Sequence, residues 1–268
     1  MAAANNEFFE ALSMLEHERG ITAEYLIEKI KAAIIIAVKK NYEVEEDHVK
    51  VDIDPDTGRF DVALIQDVVA DEDWYDEHSE IGITEAALYH YISSKDDLLN
   101  MVLSECYDTP DADEHNAVTA AVTDTDGHRV YFYPRYCLNI ALYNLQRPEL
   151  VQLYSVLNGE ALSPTHPAHN FFIGRHMRNW EMICSMNWIL PTGVDEERFY
   201  DLYTLAMSAM DGLQYRWLGD DSMNLLEEWM SISDIIFPPS EWAGFTDPSE
   251  YDPAPDRCLL PFTLSARQ

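Results

Sequence analysis

The sequence predicts a mainly α fold: a small α+β module of two helices plus a β-hairpin, followed by an all-helical domain. Three observations carry this. Apolar residues recur at helical spacing in two segments before Asn41 and in four longer ones beyond Cys106. Between Val49 and Leu64 the period falls from about 3.6 to 2, as alternation in a half-buried strand requires. The chain has 268 residues, 47% of them hydrophobic, enough for two ordinary domains with their own cores.

In the first module Phe8, Leu12 and Leu15 mark an amphipathic helix from Asn6 to Arg19, ended by Gly20. A second helix follows at once. Thr22 caps it, Glu24 suits its first turn, and Leu26, Ile30, Ala33, Ile34, Ala37 and Val38 form one apolar stripe ending near Asn41. Lys39 and Lys40 complement its carboxyl end. Val49, Val51 and Ile53, then Phe60, Val62 and Leu64, alternate with polar residues on either side of the turn-forming Asp54-Pro55-Asp56-Thr57-Gly58. That is a β-hairpin.

The strings Phe8-Phe9-Glu10-Ala11-Leu12, Ile30-Lys31-Ala32-Ala33-Ile34 and Val51 to Gly58 resemble the amino-terminal domain of the transcription elongation factor NusA, over about residues 5–69. The resemblance implies RNA polymerase as a partner, through a surface around the helical pair. The RNA-binding S1 and KH modules of that family have no counterpart downstream, so RNA binding is not implied. Residues 70–80 follow as an acidic junction: Asp71, Glu72, Asp73, Asp76, Glu77 and Glu80 stand there with no Lys or Arg, which reads as a solvated linker.

Residues 81–105 carry the most specific string of the second half, Gly82-Ile83-Thr84-Glu85-Ala86-Ala87-Leu88-Tyr89-His90-Tyr91 followed by Ser94-Lys95-Asp96-Asp97-Leu98-Leu99. It resembles the turn, recognition helix and following helix of TetR-family regulators. Gly82 suits a tight turn, Thr84 a helix cap, and Ser94 with Asp97 a second helix start. The resemblance implies operator DNA contacts by Thr84, Ala86, Tyr89, His90 and Lys95. The first helices of a complete helix-turn-helix domain are missing, and the acidic junction stands in their place.

From 106 to 237 the helical segments Tyr131–Leu145, Leu150–Leu157, Phe171–Ile189 and Phe199–Leu218 resemble a TetR-like ligand-binding and dimerisation domain. The resemblance implies a homodimer through two last helices, about Glu196–Leu218 and Ser222–Ile236, and a small-molecule inducer pocket. Phe132, Tyr136, Tyr143, Trp180, Met182 and Trp188 are candidate pocket residues, with plain core packing as the alternative. His166, His169 and His176 suggest metal only by residue type; the prolines around the first two place them in a connector, so no metal and no cofactor is expected. Residues 238–268 form a proline-rich tail whose Trp242, Phe245 and Tyr251 either pack back or leave a flexible end.

Composition bounds the function. Against 17 basic residues stand 49 acidic ones, a formal charge of −32 that repels phosphate backbones and anionic lipid. Cys106, Cys137, Cys184 and Cys258 are far apart and form no Cys-x-x-Cys pair, as free thiols of a reducing compartment do. No apolar run approaches the roughly 20 residues that span a bilayer, and the first ten residues lack a signal-peptide pattern, so a cytoplasmic, non-membrane protein is expected. No nucleophile elbow or Gly-rich phosphate loop points to an enzyme. The leading expectation is a TetR-like regulator whose DNA binding responds to a ligand. The alternatives are a NusA-like polymerase-interacting protein and a non-functional gene fusion joined near Ala70.

Overall fold

The computed structural model describes residues 12–13, 16–17, 21–42, 44, 48–54, 59–68, 77–83, 101–103, 116–252 and 258–259. The chain divides after Thr109 into two compact units. It is mainly helical, as its spacing predicts.

In the first unit helix α1 spans Ala23–Tyr42. Thr22 starts it: its hydroxyl accepts from the Tyr25 amide at 3.3 Å and its carbonyl from the Leu26 amide at 3.1 Å. Leu26, Ile30, Ala33, Ile34 and Val38 form its buried stripe. Residues 12–13 and 16–17 of the expected preceding helix are helical, and Leu12 is buried.

The helix packs on a three-stranded antiparallel sheet of order β1-β2-β3, formed by Val49–Asp54, Arg59–Val68 and Glu77–Ile83. The first two strands are the expected hairpin, paired from Val49 opposite Leu64 to Asp54 opposite Arg59. β2 is central, and its Val62, Ala63 and Leu64 are all buried. Consecutive residues point to opposite faces, so the strand is covered on both.

β3 corrects the linker reading. Residues 77–80 belong to a strand, and Gly82 lies within it rather than at a turn. The reason is register: Ile83 stands opposite Val62 and Ile81 opposite Leu64, and the pairing to β2 runs on to Glu77 opposite Val68. Pairing with a buried strand overrides the acidic composition of the segment.

The second unit holds strands β4 (Ala121–Thr123) and β5 (Arg129–Phe132), then helices α2 (Tyr133–Leu145), α3 (Pro148–Glu160) and α4 (His169–Cys184). Strand β6 (Trp188–Leu190) leads to α5 (Glu196–Gly219), α6 (Leu225–Ile236), the single-turn α7 (Pro239–Trp242) and β7 (Cys258–Leu259). The four strands form one sheet, β4-β5-β6-β7, parallel only between β5 and β6. An all-helical second domain is therefore corrected to helices with a small sheet.

Each strand of that sheet is short. The β4–β5 turn is closed by Asp124, whose Oδ1 accepts from the amides of Asp126 at 2.9 Å and His128 at 2.7 Å, while Gly127 takes φ 86°. The helical reading through Ile189 ends instead at Cys184, because Trp188-Ile189-Leu190 is buried on every residue and so shows no alternation.

The core is aromatic. Tyr133, at the start of α2, meets Trp188 at 5.3 Å, Phe199 at 4.9 Å and Phe237 at 5.8 Å, all edge to face. The tail does pack back: Trp242 is fully buried against Phe237 at 4.9 Å, and β7 pairs with β6.

Candidate functional site

The first unit presents α1 on its sheet. The helix carries Lys29, Lys31, Lys39 and Lys40 against Glu24 and Glu28, a basic element in an acidic chain. Lys29 lies over the Tyr25 ring at 5.2 Å and pairs with Glu28 at 2.9 Å, which holds its ammonium close to the helix. That pair cancels the Lys29 charge locally, and Lys31, Lys39 and Lys40 against Glu24 leave the helix basic. From the sequence Lys39 and Lys40 read only as last-turn residues; the excess of lysines over the helix's own carboxylates was the available signal.

Thr84, Ala86, Tyr89, His90 and Lys95, the expected DNA contacts, lie outside the described residues, one residue and more beyond the end of β3. The six candidate pocket residues lie in the second unit. Tyr136 and Trp188 meet at 5.6 Å, and Trp180 packs on Phe199, Tyr200 and Tyr203 of α5 at 5.8, 4.9 and 5.1 Å. Phe132 is buried with Val130 and Ile189, Met182 packs at the edge of the main core, and Tyr143 lies under the Arg147 guanidinium at 3.4 Å. These are packing roles.

The three histidines do not converge on a common point. His166 faces Glu160 at 3.7 Å, His169 Nδ1 lies 2.7 Å from the Ala161 carbonyl, and His176 Nε2 lies 3.1 Å from the Tyr200 hydroxyl. The first two tie down the connector between α3 and α4. His176 sits in the α4–α5 seam, where burial and then Arg175 push it below the ordinary imidazole range. Its ring is 5.0 Å from that of Tyr203, whose hydroxyl donates to the His176 carbonyl at 3.1 Å.

A groove of about 470 Å³ opens between the start of α2, the end of α6 and the returning tail. None of the six candidate pocket residues lines it. Sequence spacing gave no signal for it, since one wall is the non-periodic segment after Phe237.

Comparison with known proteins places the first unit. A family model, the NusA N-terminal domain, matches residues 7–107. The transcription termination/antitermination protein NusA of Bacillus subtilis (strain 168) is 41% identical over 86 residues, covering 32% of this chain and 22% of that protein. NusA of Halalkalibacterium halodurans is 39% identical over 82 residues, covering 31% and 21%. NusA of Thermus thermophilus is 36% identical over 94 residues, covering 32% and 24%.

The chain thus spans under a quarter of the length of these curated relatives. No solved structure matches it. The family match extends the NusA-like segment from the expected 5–69 to 107 and takes in residues 81–105, the segment that resembles a partial helix-turn-helix. The TetR resemblance finds no support in these matches.

Proposed function

We propose that this chain is a polymerase-interacting transcription factor in which the NusA-like first unit docks on RNA polymerase through the lysine-bearing helix α1. The observation that carries the reading is the family match over residues 7–107, on a unit whose capped helix and β-hairpin follow the matched sequence. The lysines of α1 supply positive charge for an acidic patch on the partner, which steers encounter more than it adds affinity. The protein acts by binding, not by catalysis, and works in the cytoplasm where transcription runs. Co-purification with bacterial RNA polymerase is the test: the complex is expected with the full chain and lost when residues 5–69 are deleted. Retention after the deletion defeats the reading.

One observation favours a second role for the other unit, as a homodimer. Along α5, Leu205, Ser208, Gly212 and Tyr215 repeat at spacings of three and four on the exposed side, with Leu205 53% and Tyr215 72% exposed. A Cβ added at Gly212 meets nothing within 4 Å, so the monomer tolerates a large residue there. Sedimentation velocity should show a dimer that Gly212→Trp splits without changing the thermal midpoint. A monomeric wild-type chain removes this role, and with it the inducer and operator DNA of a TetR-like mechanism.

A further inference from the structure

Between Asp201 and Arg216 every exposed residue of α5 lies on one stripe. Asp201, Leu205, Ser208, Gly212 and Tyr215 follow one another at alternating steps of four and three, and Arg216 borders the last of them. Such steps are the repeat of a seam that a second helix covers at a small crossing angle. The other side of α5 is already used, because Phe199, Tyr203, Ala206, Met210, Leu213 and Gln214 are buried in the unit's own core.

The stripe is complementary to itself when reversed. About a two-fold axis between Ser208 and Ala209, an antiparallel second copy sets Leu205 beside the partner's Gly212 and Asp201 beside the partner's Arg216, and the axis repeats both contacts. Gly212 has open space where a Cβ would stand, which leaves room for a leucine side chain between the helices. Among the described residues Asp201 makes no hydrogen bond or ion pair through its side chain. Arg216 shares only the field of Asp220, one turn on, whose Oδ1 accepts from the Ser222 amide at 3.0 Å and hydroxyl at 2.6 Å. Asp201 and Arg216 stand about 22 Å apart along their helix at 1.5 Å per residue, so they cannot meet within one copy. A parallel second helix would set Asp201 on Asp201 and Arg216 on Arg216, which like charges oppose. The charges of the stripe sum to zero in a chain at −32, which suits a contact between two copies of it.

We propose that α5 pairs with α5 of a second copy in this antiparallel register, closed at each end by an Asp201–Arg216 ion pair between subunits. The inference rests on the homodimer reading and adds its register. Sedimentation velocity of the full chain compares wild type with Asp201→Arg, with Arg216→Asp, and with an equimolar mixture of the two variants. In either variant alone both cross-axis pairs become like-charged, whereas in the mixture each arginine again meets an aspartate. Each variant's self-association should be weaker by about tenfold or more, and the mixture should regain the wild-type dimer as a heterodimer, which also shows both variants to be folded. A monomeric wild-type chain overturns the homodimer reading and this register together. A wild-type dimer that either variant leaves intact, or a mixture that stays monomeric beside it, overturns the register alone and assigns the dimer to another face.

Discussion

Cys137 and Cys184 lie in the aromatic core of the second unit, and burial pushes their thiols up to about 12 and about 11. The thiolate is the reactive form, so both are silent in the folded state. In a variant with Cys106 and Cys258 replaced by serine, a thiol-reactive dye at pH 8 should label nothing until denaturant is added, then label two sites. Rapid labelling without denaturant contradicts the buried core. His176 responds to acid. The imidazole is held neutral by burial and by Arg175, with Tyr200 and Tyr203 facing it from α5. Its folded value lies below the unfolded one of about 6.5, so its stabilisation is complete above that pH and is lost as pH falls through the lowered folded value. His176→Gln removes this dependence: its urea midpoint should fall less than the wild type's between pH 7 and pH 5. Parallel declines would refute the assignment.

At the scale of elements, helix starts are where sequence chemistry and structure meet most directly. Asn224 Oδ1 accepts from the amides of Leu226 at 3.1 Å and Glu227 at 3.3 Å, and Asp195 Oδ1 from that of Arg198 at 2.9 Å. Asn224→Ala should cost about 1 kcal/mol in urea unfolding followed by tryptophan fluorescence, and Asn224→Asp much less, since a carboxylate there also meets the helix dipole. Equal losses would show that packing of Leu225, not the cap, sets the start of α6. Capped, periodic helices were legible in the sequence: Thr22 and its stripe gave α1, and apolar spacing gave α2, α3 and α5. The strands β3 and β6 were not. β3 lies in an acidic context and is held by pairing with β2, and β6 is three fully buried residues with no period to read. Long-range pairing decided both, and a local pattern does not contain it.

For the whole molecule, the two units differ in how much of them local sequence discloses. Motifs in Phe8–Gly58 pointed to the NusA amino-terminal domain, and the family match through 107 shows that segment to be NusA-like. The string from Gly82 also resembles a recognition helix because a residue pattern with Thr84, Tyr89 and Lys95 is compatible with more than one family. The strand ending at Ile83 and its pairing to β2 were the information the string lacked. Large aromatics at helical spacing fill a core as readily as they line a cavity, and Trp180, Tyr136 and Trp188 are packed in the core of the second unit. The groove that does open depends on the tail returning to α6, a tertiary event.

The most direct test of the central claim is competition on RNA polymerase. Fluorescently labelled full chain is bound to polymerase and followed by anisotropy while unlabelled Bacillus subtilis NusA is added at moderate salt. A shared docking site predicts full displacement, with Lys29→Glu and Lys39→Glu together weakening the initial complex. Absence of a complex, or a stable ternary complex with NusA in excess, would contradict docking through the NusA-like unit.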